Sequence, residues 1–129
     1  TLSAAARKNM QLHGEIPYAQ TAQLMQQARI CLNIQPWFKA GIHDRILSAM
    51  GQGACVMTDG RAYLQQFFQE KKTIFYDDLT HPELMSGQIQ VILQDEGMMR
   101  SVAAAAYQTV QHRFRLESQL QRIVQGLRN

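Results

Sequence analysis

The sequence predicts an α/β fold: three layers, α/β/α, around a short parallel sheet of about four strands, followed by a long C-terminal helical segment. Two observations carry this. Short apolar runs, "NMQLH" at 9–13, "ICLNI" at 30–34, "ACVM" at 54–57 and "TIFY" at 73–76, alternate with segments whose apolar residues recur at helical spacing. Each connection is also long enough for a crossover, which parallel neighbours require and hairpin neighbours do not. Right-handed crossovers then place helices on both faces of the sheet.

The elements follow in order. Asn9 to His13 reads as a first strand, ended by Gly14, and Pro17 suits the first turn of a helix to about Arg29, with Ala22, Leu24, Met25 and Ala28 on one face. Ile30 to Ile34 is nearly all apolar, as for a strand covered on both sides, and Pro36 ends it. Trp37 and Phe38 lie in the next loop, as a cover over the core edge or as a stacking surface for a ligand. A helix from Ile42 to Met50 turns Ile42, Ile46, Leu47, Ala49 and Met50 inward, and Ala54 to Met57 is the third strand. Arg61 to Gln69 reads as a helix, Thr73 to Tyr76 as a β-branched and aromatic fourth strand closed by Asp77 and Asp78, and Thr80 as the cap of a helix from Pro82 to about Leu93. From Gly97 the pattern is helical to the end, with Leu116, Leu120, Ile123, Val124 and Leu127 on one stripe.

A length of 129 residues suits one domain, and 46% hydrophobic residues exclude a disordered chain. The net charge of +3 is spread along the chain, too weak a basicity to argue for nucleic acid as a partner. No window is apolar enough for a membrane span and no signal peptide opens the chain, so the expected location is cytoplasmic. Cys31 and Cys55 lack metal or redox spacing and read as buried free thiols. The chain opens on Thr1, and the expectation is a piece of a longer protein.

Parallel sheets bind ligands beyond the carboxyl ends of their strands. That rule gathers Gly14 to Ile16, Asn33 to Gly41 and Thr58 to Gly60 along one edge, beside a helix start crowded with His43, Asp44 and Arg45. Free amides and the helix dipole attract an anion there, and Arg45 supplies a fork for a diphosphate; an ordinary solvated helix start is the other reading. Further chemistry finds little support. His13, His43, His81 and His112 are scattered, and there is neither a Gly-x-Ser-x-Gly elbow nor a Gly-Lys-Ser/Thr phosphate loop. Gly51 and Gly53 follow a helix and precede a strand, the reverse of a dinucleotide fingerprint.

Taken together, "NMQLHGEIPYAQTAQLMQQARICLNIQP", "GIHDRILSAMGQGACVMTD" and "KKTIFYDDLTHPELMSGQIQVILQDEGMMRSVAAAAYQTVQHRF" resemble the C-terminal half of retaining glycosyltransferases built from two facing Rossmann-like domains, the group 1 and group 4 type with the GT-B fold. The nearer resemblance is to spore-coat maturation proteins and related bacterial glycosyltransferases. The resemblance implies a nucleotide-sugar donor as substrate, no separate cofactor and no metal, and a missing N-terminal domain for the acceptor. Residue by residue it places Gly14, Glu15 and Ile16 near the base and Gly41, Ile42, His43, Asp44 and Arg45 around the diphosphate, while Asn33 and Asp59 join the expected donor site from the strand ends by the sheet-edge rule. Ser48 matches the family glutamate that bonds the donor ribose, and Ala40 stands where the family has its first glutamate. A serine hydroxyl can still bond a ribose, whereas alanine has no polar group, so either the donor mode differs or His43 and Asp44 take over. By the same resemblance the isolated piece is expected to be inactive in transfer. The alternative function is a flavodoxin-like, non-catalytic binding or assembly module, although the acidic set of a receiver is not present. An open sheet edge would also allow self-association.

Overall fold

The computed structural model describes residues 4–38, 40–77 and 79–128. A short helix α1 (Ala4–Lys8) leads through irregular chain to α2 (Tyr18–Gln27) and strand β1 (Ile30–Asn33). Then come α3 (Asp44–Gly51), β2 (Cys55–Thr58), α4 (Arg61–Leu64) and β3 (Phe75–Tyr76), and finally α5 (Pro82–Gln94), α6 (Glu96–Arg113) and α7 (Leu116–Arg128). The strands form a parallel sheet in the order β1-β2-β3, with Ile30 opposite Cys55, Asn33 opposite Thr58 and Thr58 opposite Tyr76. The α/β class and parallel sheet are therefore as the alternating pattern predicts. Asp78, expected to help close the last strand, lies outside the described residues.

The sequence reading does not include α1, the last strand spans only Phe75–Tyr76 rather than Thr73 to Tyr76, and three further elements differ. Asn9 to His13 forms no strand, so the sheet among the described residues has three strands rather than about four. The segment offers only Met10 and Leu12 as apolar side chains, both exposed, and has no neighbouring strand to take its backbone hydrogen bonds. The helix expected over Arg61 to Gln69 ends at Leu64. Past it the chain turns so that Phe68 is fully buried, its carbonyl accepting from the Tyr76 hydroxyl at 2.9 Å. The C-terminal helical run breaks between Arg113 and Leu116, where Phe114 leaves the helical path and stacks on Phe68 at 5.7 Å between ring centroids.

Packing follows strand alternation. Val56, Ile74 and Tyr76 face one layer with Ile46, Ala49 and Met50 of α3 and with Leu64 and Phe68. Cys55, Met57 and Phe75 face the other layer, closed by Ile92 of α5 and by Met99 and Val102 of α6. Helix α6 serves both layers, since Ala106, a turn beyond Val102, belongs to the first. All four residues of β2 are buried, which accounts for its unbroken apolar reading. Burial pushes the Cys55 thiol up to about 11, and it donates to the Met99 carbonyl at 3.0 Å; Cys31 is raised by burial as well. Burial, and next the Glu70 carboxylate, raise Tyr76.

Candidate functional site

The sheet places three strand ends side by side, and two recesses flank the first turns of α3 beside them. Asn33 ends β1 and Thr58 ends β2; the Thr58 hydroxyl donates to the Asn33 carbonyl at 2.7 Å and faces the Asn33 amide nitrogen at 3.5 Å. Asp59 follows, one of its oxygens accepting from the Gln35 backbone N–H at 2.9 Å. This bond pins the loop after β1 to the turn after β2. Asn33, Gln35, Gly41, His43 and Asp59 line a cavity of about 10 Å³, roofed by Phe38. Gly41 permits the roof: its φ is +118°, and a Cβ there would come within 2.9 Å of the Phe38 ring.

Helix α3 begins at Asp44 rather than at Ile42, because His43 is extended and acts as the N-cap. The Arg45 amide, which an incoming anion would seek, is engaged from within by His43 Nδ1 at 3.2 Å and Asp44 Oδ1 at 2.9 Å. Arg45 Nε also lies 3.3 Å from His43 Nδ1, and Asp44 Oδ1 lies 2.7 Å from the same nitrogen. A proton on that nitrogen would serve Asp44, and a bare lone pair would serve Arg45, so it cannot satisfy both at once. When that lone pair is bare, the exposed Arg45 guanidinium is held at its inner nitrogen.

On the other side of α3 lies a cleft of about 340 Å³, within the range of small-molecule sites. Asp44, Arg45 and Ser48 form one wall, Tyr18, Thr21 and Met25 of α2 the opposite one, and Gln111 of α6 an end. The expected site residues therefore divide. Asn33, Gly41, His43 and Asp59 line the cavity at the strand ends, and Asp44, Arg45 and Ser48 line the cleft. Ile42 is half-buried and packs on the core layer of α3. Gly14, Glu15 and Ile16 line neither recess, and a Cβ on Gly14 would meet open space.

Sequence reasoning did not single out Gln35, Tyr18 or Gln111. Tyr18 sits one residue after the helix-starting Pro17, a usable signal; Gln111 arrives from far along the chain and has none. Among the described residues no group of three His, Cys, Asp or Glu side chains is placed to hold a metal, and no helix is long and apolar enough to cross a membrane.

A three-stranded parallel sheet with helices packed around it and recesses at its carboxyl edge gives the described residues a Rossmann-like α/β architecture. The chain belongs to the glycosyl transferase-like family, whose model matches residues 3–125. None of the curated proteins compared with it matches.

Proposed function

We propose that this chain binds the nucleoside-diphosphate-sugar donor, as the C-terminal half of a GT-B type bacterial glycosyltransferase whose acceptor domain lies N-terminal to it. The family supports glycosyl transfer in general. The observation that carries the donor reading is the position of Arg45 on the rim of a cleft of about 340 Å³, with Ser48 one turn further in. A guanidinium anchored at Nε keeps its two terminal nitrogens for a bidentate grip on phosphate. Ser48 then offers a hydroxyl to the ribose, and the base lies between α2 and α3. As the sugar leaves, Arg45 offsets the charge that accumulates on the diphosphate.

The test is calorimetric titration of the chain with uridine, guanosine and thymidine diphosphates, repeated on Arg45→Ala. Loss of a charge-assisted bond lowers affinity by about tenfold or more. Equal affinity in the two proteins refutes the role of Arg45, and no binding of any diphosphate refutes the donor reading. A second reading, an assembly module, draws on the apolar stripe of α7, whose Leu116, Leu120, Ile123 and Leu127 are exposed. It is favoured if no nucleotide binds.

A further inference from the structure

The cavity at the strand ends has an unusual chemistry. The Asn33 side chain is 5% exposed, and its Oδ1 has no hydrogen-bond partner. Its orientation follows from Thr58: that hydroxyl spends its hydrogen on the Asn33 carbonyl at 2.7 Å, so it can only accept from the Asn33 amide group, which leaves Oδ1 on the other side. Gln35 Oε1, buried in the same cavity wall, is also unpartnered. A buried acceptor left unsatisfied costs on the order of 1–3 kcal/mol, so two in one small cavity call for a common donor. The cavity of about 10 Å³ holds one oxygen atom with its hydrogens and little more.

The donor must be uncharged or cationic, because both free groups are acceptors and the Asp59 carboxylate lines the same wall. A phosphate would meet only repulsion there. A hydroxyl fits, with the size of a water and a proton to give. We infer that Asn33 and Gln35 form a hydroxyl-recognising subsite for the sugar of the donor, doing from the end of β1 what Ala40 has no polar group to do. The identity of the ligand rests on the donor reading above; the preference for hydroxyls rests on the two carboxamide oxygens alone. Sugar and diphosphate then bind on opposite sides of His43, with one sugar hydroxyl reaching in beneath Phe38 and the phosphates at Arg45.

The experiment follows the side-chain amide signals of Asn33 and Gln35 by ¹⁵N NMR on the full chain. The titrants are bare uridine and guanosine diphosphates, their glucose, galactose and mannose conjugates, and the free hexoses at millimolar concentration. Gln35→Met and Asn33→Asp assign the signals. We expect both signals to move with a nucleotide sugar and with the matching free hexose, and to stay in place with bare diphosphate. Gln35→Met should weaken the nucleotide sugar about tenfold while leaving diphosphate affinity within about twofold; Gln35 is a partly exposed loop residue, so this variant remains informative where Asn33→Asp fails to fold.

A structural water would satisfy the same two oxygens, and then neither signal responds to any sugar, which overturns the subsite. Signals that respond equally to bare diphosphate overturn it too. If Arg45 and Ser48 respond to nucleotides while Asn33 and Gln35 stay silent, the subsite fails and the donor reading stands. If hexoses move Asn33 and Gln35 and no nucleotide binds, the donor reading fails and the subsite stands.

Discussion

Gly41 is the residue on which the cavity roof depends. Its φ of +118° lies where side chains are strained, and an added Cβ would press on the Phe38 ring at 2.9 Å. Gly41→Ala must therefore shift the loop and lift Phe38. The expected outcome is a loss of roughly 1–3 kcal/mol in denaturant unfolding. Phe38→Ala, which removes the obstacle, should restore part of that loss when combined with Gly41→Ala. Additive effects would show that the ring contact is not what makes Gly41 necessary.

At the scale of elements, the break between α6 and α7 follows from Phe114. Its ring stacks on Phe68 and meets Phe67 edge-on at 5.6 Å, so the chain gives up helical continuity to place one aromatic against the core. Phe114→Ala is expected to cost about 3 kcal/mol by urea unfolding and to raise helix content around residue 114. An unchanged midpoint would mean that α6 ends for some other reason. Here the limits of sequence reading have a physical origin. Strand and helix periodicities are local, so β1, β2, α2, α3 and α5 could be read within a residue or two. Asn9 to His13 looked like a strand because its pattern fits one, but pairing depends on a neighbour, which no local pattern encodes. The same holds for the site. His43, Asp44 and Arg45 are adjacent in sequence and thus visible as a cluster, whereas Gln111 and the orphaned oxygen of Gln35 acquire meaning only when separate elements meet.

Among the described residues three acids have a titration that burial links to folding. Cys31 and Cys55 have folded values raised above their ordinary 9.0, and Tyr76 has one raised above its ordinary 10.0. Each is neutral when protonated, so below those ordinary values neither state ionises and stability is unaffected. As pH rises past them the unfolded chain loses protons while the folded one keeps them, and stability falls. Thermal unfolding should accordingly be flat from about pH 7 to 8.5 and then decline, by roughly 1 kcal/mol per pH unit for each group involved. Cys55→Val should flatten the first part of that decline, and a decline of the same steepness in the variant would contradict the assignment.

Helix α6 seals both layers along a single stripe, Met99 and Val102 closing one and Ala106, a turn further on, the other. During synthesis the chain emerges from its N-terminal end at about 5–20 residues per second. All three strands are therefore made seconds before the helix that closes them, and until α6 arrives the apolar sides of β2 lack part of their cover. A nascent chain of this protein passes through an interval in which its sheet is complete in sequence but open to solvent, and that interval is when chaperones would have the most surface to hold.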